Sequence, residues 1–310
     1  MRRWDSLLDG YLAEYAARGR ATGTVVQVTR TLEQWGAWMK RRRPRVKLEQ
    51  VDADLIVRFI ASRSAFRAKS TVYHTLSTMR GMGEYLVREG VWEKSPLRWM
   101  KGPKISPYSR LPRRIDRAHM DALWREAATS RGDYRRHLWI TTLALLYGTG
   151  LRRGELERLD VSSWNPIDGV LSIDGRKTGQ QRNVPLPELA YRCLEAYMPA
   201  RHNYLEQIGR IGVSSLLINR HGERLTGEAI SQGVHKLARR CGLDFCGLHQ
   251  FRHTCASDLL EAGVRLPEVQ RILGHQQMAT TVRYLHIADP QRHAAVALHP
   301  INQWIQQEAA

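Results

Sequence analysis

Two arginines, two histidines and a tyrosine stand in this 310-residue chain in an order that could break a phosphodiester without a metal. Arg152 lies in Gly148-Thr149-Gly150-Leu151-Arg152-Arg153-Gly154-Glu155-Leu156, and His249 and Arg252 lie in Leu248-His249-Gln250-Phe251-Arg252-His253. His275 follows in Leu273-Gly274-His275, and Tyr284 closes Thr280-Thr281-Val282-Arg283-Tyr284. Metal-free phosphoryl transfer needs fixed cations on the non-bridging oxygens, where charge concentrates in the transition state. Arginine suits that task because its planar fork binds phosphate bidentately and keeps its proton. Tyrosine titrates near pH 10, so as a nucleophile it needs a base or a strongly cationic pocket. The leaving hydroxyl needs a proton from a general acid.

Each residue alone has an ordinary reading. Arg152 could be a surface arginine at a helix junction, Gly274-His275 a common loop pair, and Tyr284 a packed aromatic. His249 and Arg252 are three apart, one helical turn, so both can point at one pocket. The set taken jointly, in this order, is what argues for chemistry. Metal-dependent cutting would instead use clustered carboxylates. The C-terminal two thirds show no D-x-D, D-D-E-like or H-E-x-x-H pattern.

The chain carries a formal net charge of +18, with 43% hydrophobic residues. An excess of that size favours a polyanionic partner, nucleic acid first, because neutralised phosphates release counterions. Residues 1–110 hold 22 Lys/Arg against 10 Asp/Glu. Apolar runs such as Leu143-Ala144-Leu145-Leu146-Tyr147 are far too short to span a bilayer. The N-terminus turns amphipathic at once, which predicts no signal peptide and an intracellular protein. Cys193, Cys241, Cys246 and Cys255 show no C-x-x-C pair and read as reduced thiols in the core; a zinc site using His249 is the weaker alternative.

The elements that must position these residues fall into two groups, as the length suggests. Helical periodicity predicts a first helix carrying Trp4, Leu7, Leu8, Tyr11, Leu12 and Tyr15, stopped by Gly19, and a second from about Thr22 to Arg42. A third starts at Asp52 or Asp54, and a fourth is capped by Ser70. Four such helices with short links make a bundle. A basic stretch with three prolines, Lys101 to Arg114, reads as a linker. Beyond it Asp116 caps a helix, and residues 134–147 form a more apolar, central one closed by Gly148 and Gly150. Val170–Ile173 and Arg182–Leu186 predict a β-hairpin around a glycine-containing turn. Helices are predicted at 187–199, 226–240 with Thr226 as N-cap, 250–262, 266–273, 279–287 and 290–308.

In order and spacing these blocks resemble the tyrosine recombinase (phage integrase) family, over essentially residues 3–290, and most specifically at 148–156, 175–186, 248–263 and 272–286. Length and layout are similar to Xer-like and mobile-element-encoded members. The resemblance implies roles for particular residues. Arg152 and Arg252 match the family's two arginines, and Glu155 the acidic residue that supports the pocket. His249 matches the histidine of the H-x-x-R block, His275 the position that hydrogen-bonds the scissile phosphate, and Tyr284 the nucleophile. Lys177 matches the hairpin lysine that protonates the leaving 5′-oxygen. Many relatives read G-K-G there, whereas this chain reads Gly175-Arg176-Lys177-Thr178-Gly179. Counting back from Val184-Pro185-Leu186 selects Lys177, with Arg176 as the competing residue. His253, His286, His293 and His299 match no catalytic position, and Arg153 is expected on another face from Arg152.

The fold class implied is mainly α with a small β-sheet: a core-binding (SAM-like) four-helix bundle over 1–100, a linker over 101–114, a catalytic domain over 115–289 and a tail helix over 290–310. The tail, with Val296, Leu298, Ile301, Trp304 and Ile305, either passes to a neighbouring protomer or folds back on its own domain. The implied activity is site-specific strand exchange through a 3′-phosphotyrosyl link, with no metal or other cofactor. Implied partners are double-stranded DNA with paired half-sites, three further copies of the chain in synapsis, and an accessory DNA-binding protein; no membrane is involved. The setting implied is the bacterial cytoplasm, at the nucleoid. No arm-binding segment precedes residue 1, an expectation that leans away from lambda-type integrases. Two alternatives stay open: DNA relaxation of the type IB topoisomerase kind, against which the bundle argues, and an inactive architectural DNA-binding protein, against which the full residue set argues.

The hairpin register is testable. Replacing the bridging 5′-oxygen with sulfur gives a leaving group that departs without a proton. Lys177→Ala should be badly impaired on ordinary DNA and largely restored on the 5′-thio substrate, while Arg152→Ala should not be restored. Rescue of Arg176→Ala in place of Lys177→Ala would shift the register by one.

Overall fold

The computed structural model describes residues 2–20, 22–42, 44, 46–64, 69–103, 114–174, 181–243 and 247–274. Arg176, Lys177, Cys246, His275 and Tyr284 lie outside them, as do the predicted helices at 279–287 and 290–308 and linker residues 104–113. The chain divides into two units, Met1–Ser109 and Arg110–Ala310.

The first unit contains α1 (Arg2–Ala17), α2 (Thr22–Lys40), α3 (Ala53–Ser64) and α4 (Lys69–Arg88). Their apolar stripes meet in one core that includes Leu32, Trp35, Ile56, Phe59, Met82 and Leu86. Trp35 stacks on Trp38 at 5.6 Å, and Phe59 meets both edge-on at 5.0 and 5.6 Å. Gly36 lets α1 and α2 close up, since a Cβ there would stand 2.5 Å from Trp4 Nε1. Of the two carboxylates at the start of α3, Asp52 takes the capping role: its Oδ1 accepts from the Leu55 N–H at 2.8 Å. Asp54 pairs instead with Arg58, one turn on, at 2.8 Å. Helix α4 begins at Lys69, so Ser70 lies inside its first turn and is not the cap.

The second unit is built around α6 (Asp133–Thr149), the helix predicted to be central. Leu143, Leu145 and Leu146 are fully buried, as are Thr141 and Thr142. Buried hydroxyls need partners: Thr142 donates to the Leu138 carbonyl at 2.7 Å, and Thr141 to that of Cys193 at 2.9 Å. Before α6 runs α5 (Arg117–Ala128), capped as expected by Asp116, which accepts from the His119 N–H. After it come the short α7 (Arg153–Glu157) and an antiparallel sheet of β1 (Trp164–Asn165), β2 (Val170–Ile173) and β3 (Arg182–Pro185), in that order. The predicted hairpin is β2–β3, with Leu171 opposite Val184 and Ile173 opposite Arg182; β1 extends it by a third strand too short to show alternation in sequence.

Helix α8 (Glu188–Gln207) packs along α6 and runs well past the predicted end at 199, with Pro199 inside it. A proline in a helix costs one backbone hydrogen bond. Here the second half of α8 is pinned regardless. Leu205 is buried, and the buried Arg201 guanidinium donates to the carbonyls of Val213, Ser215 and Leu216 at 2.6–3.2 Å. The unit continues with α9 (Gly227–Arg240), α10 (Leu248–Glu261) and α11 (Leu266–Leu273). Thr226 caps α9 as predicted, accepting from the Ala229 N–H. Helix α10 starts two residues earlier than expected because the Gln250 side chain accepts the Gly247 N–H at 2.9 Å, which places His249 in the first turn. Among the described residues no helix is long and apolar enough to cross a membrane.

Candidate active site

The turn from α6 into α7 sets the first cation. Gly150 ends α6 with φ +60, and a Cβ there would stand 2.5 Å from Leu273 Cδ2, so a side chain is excluded on both counts. Arg152 then caps α7 with extended backbone. Its N–H donates to Glu155 Oε2 at 2.9 Å, which satisfies an otherwise orphaned helix-start donor. Its guanidinium donates through Nη1 to Glu155 Oε1 at 2.8 Å and through Nη2 to the Gly274 carbonyl at 3.0 Å. Arg153 turns elsewhere, as expected, to pair with Glu228 at 3.3 Å.

Glu155 is only 4% exposed and is shared by two arginines. The second is Arg182 on β3, whose Nη1 and Nη2 reach Oε1 and Oε2 at 3.1 and 2.9 Å, and whose Nε donates to the Ile272 carbonyl at 3.0 Å. Burial alone would push the Glu155 carboxyl up. The Arg182 hydrogen bonds, the Arg152 N–H, the Arg182 charge and the Arg152 side-chain hydrogen bond outweigh it and bring it down to about 2. Sequence reasoning did not single out Arg182. The signal was strand parity: on β3 it shares the inward face with the buried Val184, where a charged residue needs a partner.

The third guanidinium is that of Arg252, 4% exposed on α10. Its Nη1 donates to the Gly150 carbonyl at 2.7 Å and its Nη2 to that of Leu273 at 2.6 Å. Thus the carbonyls of Ile272, Leu273 and Gly274, at the C-terminal end of α11, accept from Arg182, Arg252 and Arg152 in turn. A helix C-terminus presents orphan acceptors and partial negative charge, so cations belong there. Gly274 has φ +64, and a Cβ on it would stand 2.7 Å from Arg182 Nη1 and 2.9 Å from Cζ. The next residue is His275.

Of the residues singled out from sequence, the structure therefore brings Arg152, Glu155 and Arg252 to one place. His249, expected to point into the same pocket as Arg252, is exposed on the first turn of α10, its ring 6.3 Å from that of His253. The buried tyrosines Tyr11, Tyr134 and Tyr197 and the half-buried Tyr147 are all pushed up, first by burial, so none is prepared as a nucleophile. Tyr147 also donates to Asp258 at 2.6 Å. Cys193, Cys241 and Cys255 are free thiols. Burial pushes the Cys255 thiol up to about 12, against the opposing pull of Arg252, which leaves it inert. Among the described residues no group of three or more His, Cys, Asp or Glu could hold a metal.

Comparison with known proteins matches residues 113–291 to the model described as the phage integrase family, and residues 8–90 to the phage integrase N-terminal SAM-like domain. The chain is 31% identical over 289 residues to tyrosine recombinase XerD of Pseudomonas aeruginosa, covering 91% of this chain and 93% of that one. It is 32% identical over 243 residues to tyrosine recombinase XerC of Haemophilus ducreyi, covering 77% and 76%. Its fold is similar to that of XerH site-specific recombinase bound to palindromic difH substrate (TM-score 0.70, 18% identity, 91% and 81% covered). It is also similar to that of a lambda integrase dimer bound to a COC′ core site (TM-score 0.67, 20% identity, 90% and 94% covered).

A carboxyl lowered from 4.5 to about 2 on folding stabilises the native state fully above pH 4.5, and that contribution is lost as pH falls toward about 2. Glu155→Gln leaves two guanidiniums without their anion and should cost about 3–5 kcal/mol at neutral pH. Urea unfolding at a series of pH values should show the gap between wild type and variant narrowing below pH 4.5. A gap that does not change with pH would mean that Glu155 is not held ionised by its partners.

Proposed function

The chain belongs to the phage integrase family as a site-specific recombinase of the tyrosine class, and on that premise we propose that Tyr284 cuts and rejoins double-stranded DNA at paired half-sites. The Tyr284 hydroxyl gives its proton to a base of the pocket as its oxygen attacks the scissile phosphorus, a 3′-phosphotyrosyl bond forms, and the bond to the 5′-oxygen breaks. Lys177 gives that oxygen its proton. A 5′-hydroxyl from the partner duplex then attacks the phosphotyrosyl link and releases Tyr284. Bond energy is kept in the link, so neither a nucleotide cofactor nor a metal is called for.

The observation that carries this reading is the convergence of Arg152 and Arg252 on the α11 end. Arg152 donates to the Gly274 carbonyl and Arg252 to that of Leu273, in the two residues before His275. Cations held this way need no reorganisation when charge develops on the non-bridging oxygens. Arg152, 26% exposed at its side chain, is the outer of the two and Arg252, 4% exposed, the inner one. In the proposed pocket His275 hydrogen-bonds the phosphate and His249 completes the polar wall.

The +18 charge supports DNA as the substrate. Residues 1–100 then act as the core-binding domain, 101–114 as a linker along the duplex and 115–289 as the catalytic domain. Four copies act together on two sites, with residues 290–310 as the candidate contact between them, in the bacterial cytoplasm at the nucleoid. Xer and integrase relatives make dimer resolution, integration, excision and cointegrate resolution the candidate tasks, with an accessory DNA-binding protein as a further partner.

The test is covalent trapping in excess EDTA, on a nicked duplex whose site the protein itself selects from a randomised pool. Wild type should accumulate a covalent complex. Tyr284→Phe should form none while binding the duplex nearly as well. Arg152→Ala should be slower by more than about a hundredfold, the loss of one oxyanion stabiliser. A complex formed by Tyr284→Phe would move the nucleophile elsewhere. Activity lost in EDTA and restored by magnesium, with binding intact, would contradict the mechanism.

A further inference from the structure

Arg182 has no part in the mechanism above, yet its guanidinium ties together parts of the site's framework that lie far apart in the chain. It donates to both carboxylate oxygens of Glu155, which Arg152 also engages, and to the Ile272 carbonyl. Its side chain is 10% exposed, against 26% for Arg152, so the inner arginine supports and the outer one presents. It sits opposite Ile173 at the last β2–β3 pair, where β3 follows the segment that carries Lys177. One guanidinium thus joins the strand after the Lys177 segment, the carboxylate that orients Arg152, and the helix end that leads to His275.

The geometry points to Arg182 as a positioning residue for strand cleavage, acting through Glu155 and the Ile272 carbonyl to aim Arg152 at the scissile phosphate. The inference rests on the recombinase reading. Glu155 offers its two oxygens to the Arg152 N–H, the Arg152 guanidinium and Arg182 at once. Without Arg182 the carboxylate is free to rotate toward Arg152 alone, and the Ile272 carbonyl loses its donor. Lysine keeps the charge but has no planar fork, so it can hold Glu155 or Ile272 but not both in this geometry.

The experiment measures single-turnover covalent trapping on the nicked, protein-selected duplex, with DNA affinity and melting temperature recorded for every variant. Arg182→Met and Arg182→Lys should stay folded, bind DNA within about threefold of wild type and cleave at least about tenfold more slowly. If Arg182 acts through Glu155, the Arg182→Met/Glu155→Gln double variant should be no slower than the slower single variant. On a neutral methylphosphonate at the scissile position the aimed cation has less charge to neutralise. There the deficit of Arg182→Lys relative to wild type should shrink, a change that loss of packing would not produce.

Several outcomes would overturn the inference: cleavage at the wild-type rate, additive losses in the double variant, a deficit equal on both substrates, or loss of fold in both single variants. That last outcome would make Arg182 a stability residue only. Each of these leaves wild-type trapping intact, whereas a wild type that forms no covalent complex would sink the recombinase reading itself.

Discussion

A single buried carboxylate between two guanidiniums holds this site together. Glu155 is enclosed, and an isolated ion there would be expensive. Arg152 and Arg182 neutralise it and leave the cluster with an excess positive charge. That excess is directed, together with Arg252, at three successive carbonyls at the end of α11. The pairing is a geometric device more than a source of stability, since a buried ion pair commonly gains little over apolar packing of the same shape. Its value is that Arg152 and Arg182 share Glu155, so neither can move without breaking a bond to the other's partner.

The consequence is that four distant segments become one rigid seat. The α6–α7 turn supplies Arg152 and the Gly150 carbonyl, β3 supplies Arg182, α10 supplies Arg252, and α11 supplies the acceptors. Two glycines make the approach close enough. Gly150 clears Leu273, and Gly274 clears the Arg182 guanidinium, both with left-handed backbone. Behind the seat stands α6, whose leucines and satisfied threonine hydroxyls fill the centre of the unit. A pocket built to receive a phosphate should be pre-set in this way, because preorganised charge acts where it is needed without first reorganising.

Most of the scaffold was legible in the residues. Helix periodicity, the Asp116 and Thr226 caps and the alternation across 170–186 located the elements, because each is a local consequence of the chain's own spacing. The misses have physical causes. The periodicity of the predicted helix runs only to 199, yet the Arg201 bonds to a loop many residues away keep α8 going past Pro199. Ser70 looked like a cap, but α4 already begins at Lys69. At the site, Arg152 and Arg252 could be named from motif order and Glu155 from the family resemblance, whereas the carbonyl acceptors have no side-chain signature at all. Arg182 fell between the two: its parity with Val184 was visible, but the partner that makes an inward arginine tolerable lies 27 positions away.

The most direct measurement is a crystal structure of the chain on its nicked site with vanadate, a mimic of the pentavalent phosphorus that links the attacking and leaving oxygens. The account predicts that the guanidiniums of Arg152 and Arg252 donate to the equatorial vanadate oxygens while Glu155 still bridges Arg152 and Arg182. It predicts Tyr284 and the 5′-oxygen at the two apical positions. Vanadate bound away from Arg152 and Arg252, or bound by an Arg152 that has let go of Glu155, would contradict it.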